Sequence, residues 1–372
     1  MKKALFISAL VILALSCAQK EQPLPTKDSP EKIVFNPPLV GGNTKAIITG
    51  TTYPDTLNFT VWGFFSVNAD DVGIPGPNGI NYIDDAECIH EGTPPNDYWV
   101  PFYPDADGSG NPGYYYWKDG VGYMTFHALS PRGITHTHDW QTGFSIPDYT
   151  VGTDDVMYSH YHQAQRGNYS STFPYDDTAG NTGSYNGVDI SFHHALAVVK
   201  FGIKKAGDYD LTVKKVELLS VYQTADFAEN RAPGALNTYS ATPTWTPHTN
   251  TEHTYTLYES NEGTALTWDN GQGVVAPLGD PLLVIPQNLD HSSHGNGKVA
   301  VRVTLSRGGN ISTVSGTLGG LRISGGETVI SSWEMGKRYT YTIVVGQDKI
   351  SFSPAVENWT LGSDVWIFPG GD

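Results

Sequence analysis

Runs in which apolar and polar side chains alternate recur along the chain and predict β-strands. In residues 57–67, the apolar side chains of Leu57, Phe59 and Val61 alternate with polar neighbours, as in a strand with one buried face. Residues 190–204 form a more continuously apolar run, which predicts a single long strand. No long stretch has apolar residues at the spacing of a helix face, so we expect few or no long helices.

The spacing of these patterns predicts two tandem β-sandwich domains. Strand patterns recur at intervals of roughly 10–20 residues and are separated by turn residues, in a chain that contains 41 Gly and 24 Pro. The polar stretch 166–187 interrupts the series. We therefore expect an all-β fold with one sandwich over residues 46–187 and a second over residues 188–372.

The first residues predict export. Lys2 and Lys3 precede an apolar stretch over residues 4–15, which is too short to span the ~30 Å hydrocarbon core of a bilayer. The stretch ends at Cys17, and the whole pattern resembles a bacterial lipoprotein signal. The resemblance implies that residues 1–16 are removed and that Cys17 is acylated. The alternative is an ordinary secreted protein in which Cys17 is incidental.

The charge of the chain narrows its possible partners. The formal net charge is −16, and removal of the signal takes away two lysines and no acid, which leaves −18. Such a surface repels phosphate backbones, so we expect no nucleic-acid partner. Cys88 is the only cysteine besides Cys17, so the protein is expected to be held by its apolar core and without an intramolecular disulfide.

The common catalytic motifs are missing from the sequence, including Gly-x-Ser-x-Gly, His-Glu-x-x-His and phosphate-binding loops. Two histidine pairs have a spacing that Zn²⁺ can use, but no third ligand is fixed; they are His136 with His138 and His160 with His162. Residues 105–111 resemble the start of a Ca²⁺ loop without its acidic last position. We therefore expect no catalytic residue, no metal, no cofactor and no enzymatic activity.

Five segments carry a family resemblance when they are taken together. In chain order they are NTKA at 43–46, ISFHHALAVVKF at 190–201, LVIPQ at 283–287, WEMGKRYTYTI at 333–343 and ISFSPAVENW at 350–359. With the lipoprotein signal, they resemble the fimbrillin-like family of Bacteroidetes, the type V pilin and fimbrial-subunit lipoproteins. The resemblance covers the whole chain in the right order.

This resemblance implies a mechanism of assembly. Such subunits have two β-sandwich domains of transthyretin-like topology and reach the outer membrane as lipoproteins. A trypsin-like protease removes the first strand, and the groove left behind accepts a strand from the next subunit. On this chain, residues 17–45 hold the tether and the removable strand at 33–39, and the cut falls between Lys45 and Ala46. The apolar run 363–369 is the candidate donor strand, lying in its own domain or in a neighbour.

The resemblance thus predicts a structural or accessory subunit, anchor or tip, of a surface fimbria. Its partners would be other fimbrial subunits and, through the lipid, the outer membrane. The rival prediction is a monomeric surface-anchored lipoprotein adhesin that binds glycans or host proteins. Its candidate stacking platform is Trp99 with the aromatic residues 114–117, which lie in Gly- and Pro-rich surroundings. A polymerising subunit needs a removable first strand, whereas a monomeric adhesin does not.

Overall fold

The computed structural model is built from strands and turns. It describes residues 32–40, 53–66, 81–93, 96–103, 113–117, 123–165, 187–231, 243–249, 251–290, 297–323, 328–347 and 349–359. Within these ranges no residue is helical, and accordingly none belongs to a helix that could cross a membrane. The predicted all-β fold is confirmed.

The strands of the described residues, in chain order, are β1 (Leu39–Val40), β2 (Phe59–Ser66), β3 (Asn81–Thr93), β4 (Asn96–Tyr103), β5 (Gly113–Tyr114), β6 (Tyr123–Ser130), β7 (Thr137–Asp139), β8 (Gly143–Thr150), β9 (Met157–Ser159), β10 (His162–Gln165), β11 (Ser191–His194), β12 (Ala197–Lys205), β13 (Thr212–Tyr222), β14 (Thr224–Ala228), β15 (Thr244–Pro247), β16 (Glu252–Ala265), β17 (Trp268–Asp269), β18 (Gln272–Gly273), β19 (Ala276–Val284), β20 (Ala300–Arg307), β21 (Asn310–Thr317), β22 (Leu321–Arg322), β23 (Val329–Ile330), β24 (Lys337–Val345) and β25 (Ile350–Asn358).

The first part of the chain builds a nine-stranded sheet. Its strand order is β1-β11-β9-β6-β2-β3-β4-β5, and β10 also pairs with β6. Strand β2 shows that both faces of this sheet are covered. Phe59 and Val61 contribute to one apolar cluster, whereas Trp62 and Phe64 contribute to another. The alternation in the sequence therefore separates two cores and not a core from solvent.

The later part of the chain builds a sandwich of two four-stranded sheets, β19-β12-β24-β25 and β16-β13-β20-β21. Their facing side chains form one core, to which β12 contributes Val199 and Phe201 and β13 contributes Val216 and Leu218. Strands β12 and β24 are parallel, and the other pairs in the two sheets are antiparallel. Alternation along β12 and β13 places these apolar side chains on the inner faces.

A third four-stranded sheet joins early and late strands in the order β15-β14-β8-β7. Strand β8 pairs with β14, so residues 143–150 and 224–228 share one ladder. An apolar cluster beneath this ladder includes Phe144, Phe227 and Trp359. The domain boundary predicted between residues 187 and 188 stays a prediction. Strands from both sides of this boundary pair in the third sheet.

The predicted single strand over residues 190–204 is two strands. β11 ends at His194 and belongs to the nine-stranded sheet, whereas β12 begins at Ala197 in the C-terminal sandwich. Ala195 and Leu196 lie between them, and both are buried in the cluster between the sheets. A chain that changes sheets inside a core stays apolar throughout, so the pattern alone does not reveal the break.

Candidate functional site

The candidate site is a groove that holds the N-terminal segment, residues 32–40. On one side, the Phe35 amide donates to the Trp99 carbonyl at 2.8 Å and the Trp99 amide donates back at 3.0 Å. On the other side, the Val188 amide donates to the Val34 carbonyl at 2.9 Å and the Asn36 amide donates to the Val188 carbonyl at 3.0 Å. The segment is therefore paired along both edges, with β4 on one side and the residues that lead into β11 on the other.

The apolar side chains of the segment are part of the protein core. Ile33, Phe35 and Val40 are buried, and the Phe35 ring meets the rings of Phe59 and Phe126 edge-on at centroid distances of 6.0 and 5.2 Å. These side chains fill the apolar interior of the nine-stranded sheet. The segment thus behaves as an inserted strand rather than as a tail on the surface.

Two side chains of the segment depart from this inward pattern. Val34 points to the other face of the strand, where it packs with Tyr98 and Val100 in a small cluster. Leu39 lies at the C-terminal end of the segment with 55% of its surface exposed. Of the predicted strand at residues 33–39, Leu39 is thus the apolar residue that contributes least to burial.

Asn36 fixes the position of the segment through its side chain. Its Nδ2 donates to the Gly187 carbonyl at 2.9 Å and to Asp189 Oδ1 at 2.7 Å, and its Oδ1 accepts from the Gly187 amide at 2.9 Å. A Cβ atom on Gly187 would lie 2.7 Å from the backbone nitrogen of Asn36. Glycine is therefore needed here because the two chains approach too closely for a side chain.

A charged group marks the entrance of the groove. Lys32 Nζ lies 3.3 Å from Glu91 Oε2 and 3.4 Å from the centroid of the Tyr114 ring. The same carboxylate accepts the hydroxyls of Tyr98 at 2.8 Å and of Tyr114 at 2.9 Å. Burial lowers the pKa of Lys32, and the Glu91 charge opposes this effect. Burial, followed by the hydrogen bond to Glu91, raises the pKa of Tyr114.

The chain is anchored again at Tyr53, the first described residue after the segment. The Tyr53 amide donates to the Pro38 carbonyl at 2.9 Å, and the Tyr53 ring stacks on Phe192 with centroids 5.2 Å apart. The Tyr53 hydroxyl lies 2.8 Å from Ser130 Oγ. The predicted cut site, Lys45 and Ala46, lies outside the described residues, between these two anchored points.

The end of the segment borders a cavity of about 470 Å³. Leu39, Val40 and Phe192 line one part of it, and His194 and Trp359 line another. His194 Nδ1 and Asp155 Oδ2 are 2.8 Å apart, and the His194 ring stacks on Trp359 at 3.5 Å. The cavity therefore lies where the N-terminal segment meets the last described residue of the chain.

The other predicted sites, Cys17 and residues 363–369, lie outside the described residues.

Among the described side chains, His136 and His138 do not converge on a metal site, and the side chain of His162 lies outside the described residues. His136 Nδ1 lies 2.7 Å from the Ile134 carbonyl, whereas the His138 ring stacks on Trp62 at 4.3 Å. Burial, followed by repulsion from His127 and His136, lowers the pKa of His138 to about 2. The His160 ring meets His193 at 4.1 Å, and His160 also has a pKa that burial lowers to about 4.

A group of possible metal ligands that sequence reasoning missed lies on the surface beside β14. Asp148, Asp226 and His248 have ligand atoms within 4.8 Å of one another. His248 Nε2 lies 3.0 Å from Asp226 Oδ1, and the Asp148 amide donates to the same oxygen at 2.8 Å. These contacts satisfy the Asp226 carboxylate and lower its pKa.

The buried thiol of Cys88 has a pKa raised by burial, which disfavours the reactive thiolate.

The aromatic residues predicted as a stacking platform do not form one. Trp99, Tyr115 and Trp117 are buried in the core of the nine-stranded sheet. Tyr114 and Tyr116 are half-buried. The Gly- and Pro-rich surroundings suggested an exposed surface, but residues 32–35 pair with Trp99, Tyr115 and Tyr116 through backbone hydrogen bonds and bridges.

Comparison with known proteins gives one family match. Residues 104–359 match the sequence profile of a family described as Fimbrillin-like. This match covers more than half of the chain and begins after the N-terminal segment. No curated protein matches the chain.

Solved structures with a similar arrangement include two fimbrial proteins. A fimbrial protein from Bacteroides vulgatus is 15% identical, with 88% of this chain and 99% of that chain covered and a TM-score of 0.43. The tip fimbrial protein Mfa3 from Porphyromonas gingivalis, with a C-terminal truncation, is 12% identical, with 82% and 94% covered and a TM-score of 0.31.

Proposed function

Because the chain belongs to the fimbrillin-like family, we propose that it is a structural or accessory subunit, anchor or tip, of a cell-surface fimbria. It is exported as a lipoprotein and held at the outer membrane through Cys17. A trypsin-like protease cuts between Lys45 and Ala46 and so releases the first strand. A strand from another subunit then fills the groove. Transthyretin-like topology of the sandwiches is part of this proposal.

The observation that carries the proposal is the double pairing of residues 34–36. These residues hydrogen-bond to Trp99 on one side and to Val188 on the other. Removal of a strand paired in this way leaves two open edges that face each other across one gap. An open edge is a template for a new strand, and two facing edges favour one inserted strand over a lateral contact.

The apolar side chains of the segment add a driving force for refilling the gap. Burial of each large apolar side chain contributes about 1.5–3 kcal/mol, and Ile33, Phe35 and Val40 are all buried. Removal also takes backbone partners from Trp99 and Val188, whose polar groups lie inside the protein. An empty groove is therefore unstable relative to a filled one, which favours strand exchange over a stable open form.

The experiment is limited trypsin cleavage of the purified mature protein, followed by N-terminal sequencing and light scattering. The proposal expects a stable product that begins at Ala46 and forms oligomers, alone or with partner subunits. Cuts after Lys20 or Lys27 serve as internal controls, because they leave residues 32–40 attached. The matched control is the Lys45→Gln variant, which should lose its upstream residues more slowly and stay monomeric.

Two results would contradict the proposal. One is a wild-type chain that trypsin does not cut after Lys45. The other is a chain that is cut there, loses residues 32–40 and remains monomeric with and without partner subunits. The second result would favour the monomeric anchored adhesin, which needs no strand exchange.

A further inference from the structure

The groove contains an acidic group that stays behind when the N-terminal segment leaves. Glu91 is on β3, and it lies directly across the ladder from Tyr98 on β4. The hydroxyls of Tyr98 and Tyr114 both donate to its carboxylate. All three residues are downstream of the proposed cut, whereas Lys32, which forms the ion pair, is upstream. Cleavage therefore removes the cation and leaves the carboxylate in its position.

The ion pair between Lys32 and Glu91 is largely shielded from solvent. The side chains of Lys32 and Glu91 are only 12% and 23% exposed, so solvent screens their interaction less than it would on an open surface. An ion pair of this kind acts mainly on specificity, because a strand without a cation does not replace the Lys32 ammonium and an acidic strand repels the Glu91 carboxylate. A neutral or acidic residue at this point would leave Glu91 without the ammonium that it has in the uncleaved chain.

We infer that the groove accepts a strand from a different protein, one that carries Lys or Arg at the position of Lys32 and a large aromatic residue three positions later. This inference rests on the proposed strand exchange and names the chemistry of the partner. The aromatic requirement follows from Phe35, whose ring is buried between Phe59 and Phe126. Together the two positions define a cation-x-x-aromatic pattern.

The C-terminal segment of this same chain does not fit that pattern. Residues 360–372 read TLGSDVWIFPGGD, with aspartate at positions 364 and 372 and no lysine or arginine. An inserted strand of either direction would therefore bring no cation to Glu91. If Asp364 took the position of Lys32, its carboxylate would face that of Glu91. This repulsion would disfavour binding of the C-terminal segment. Residues 360–372 of a second copy are therefore excluded as the strand that fills this groove.

The test measures peptide binding to the mature protein after it has been cleaved at Lys45. The probes are fluorescein-labelled peptides read by fluorescence anisotropy. They are residues 32–45, the same peptide with Lys32→Arg or Lys32→Met, and residues 360–372. We expect Lys32→Arg to bind within about threefold of the parent peptide and Lys32→Met about 30-fold more weakly. Residues 360–372 should bind at least about 100-fold more weakly than the parent peptide.

A protein variant separates the ion pair from general loss of contacts. In Glu91→Gln, the 30-fold preference for Lys32 over Met should shrink to about threefold or less, because the amide carries no charge. If this variant does not fold, the peptide series on the wild-type protein still decides the question. The comparison of Lys32→Arg with Lys32→Met then reports the charge requirement directly.

The outcomes distinguish this inference from the proposed function. If residues 32–45 bind and Lys32→Met binds equally well, the charge requirement is wrong while strand exchange stands. If residues 360–372 bind as tightly as residues 32–45, the exclusion of this segment as the inserted strand is wrong. If the cleaved chain binds none of the peptides, both the inference and the strand-exchange mechanism are overturned.

Discussion

Asn36 and Gly187 are 151 residues apart in the sequence and hydrogen-bond to each other twice. The Asn36 Nδ2 donates to the Gly187 carbonyl, and the Gly187 amide donates to Asn36 Oδ1, each at 2.9 Å. The pair connects the N-terminal segment to the residues that lead into β11. Because only the glycine backbone fits beside Asn36, this contact offers a precise way to loosen the segment.

The Gly187→Ala variant should destabilise the uncleaved protein by about 1–3 kcal/mol, because its Cβ would overlap the Asn36 backbone. Urea unfolding of the mature chain measures this change. Gly152→Ala is the matched control, since a Cβ there meets no atom within 4 Å, and it should change stability by less than about 0.5 kcal/mol. Equal effects of the two variants would mean that the segment does not lie against Gly187.

The Phe35→Ala variant tests whether the segment belongs to the core. Phe35 is fully buried, so its truncation should lower the free energy of unfolding by about 3–5 kcal/mol. Leu39→Ala is the control within the same segment, because Leu39 is 55% exposed, and its effect should be below about 1 kcal/mol. A Phe35→Ala variant as stable as the wild type would contradict the inserted-strand geometry.

The lipid anchor gives a prediction about fractionation of cells. The Cys17→Ala variant should leave the membrane fraction and appear in soluble form, because the acylated residue is lost. Cys88→Ala is the control, since Cys88 is buried and distant from the N-terminus in sequence; it should stay with the membrane. Unchanged membrane partitioning of Cys17→Ala would show that the chain is held in another way.

His138 gives a prediction about pH. Its folded-state pKa of about 2 is below the ordinary value of 6.5, so the folded protein keeps it neutral while the unfolded chain takes up a proton. Stability is therefore fully present above pH 6.5 and falls as the pH drops below that value. His160, whose pKa is lowered to about 4, acts in the same direction. Between pH 7.5 and 5.5, His138 should contribute a loss of about 1 kcal/mol.

Urea unfolding at these two pH values checks this prediction with a matched pair of variants. His138→Phe keeps an aromatic ring against Trp62 and removes the titrating group. Its pH-dependent loss should be smaller than that of the wild type by about 1 kcal/mol. The exposed His253 gives the control variant His253→Asn, which should lose as much as the wild type. An unchanged loss in His138→Phe would place the sensitivity elsewhere.

Much of the fold could be predicted from alternation in the sequence. The pattern over residues 57–67 contains β2 (Phe59–Ser66), and the apolar run over residues 190–204 contains β11 and most of β12. Alternation follows directly from the geometry of a strand, so it survives without knowledge of the tertiary structure. Alternation does not locate the break at Ala195 and Leu196. A chain that passes from one sheet to the next inside a core is as apolar as a buried strand.

The candidate site was harder to predict because its contacts join distant parts of the chain. The family resemblance indicated a removable strand at residues 33–39. The partner of Lys32 is Glu91, 59 residues away, and no local pattern connects the two. The misassignment of Trp99 has the same origin, because the segment that pairs with it precedes it by more than sixty residues.

The most direct test of the account is the N-terminus of this chain inside assembled fibres. Surface fibres are sheared from cells and purified, and the chain is analysed by N-terminal sequencing and peptide mass spectrometry. The account predicts a chain that begins at Ala46, with no peptide from residues 32–40 in the fibres. A fibre-bound chain that still contains residues 32–40, or a chain found only as an uncleaved monomer, would contradict it.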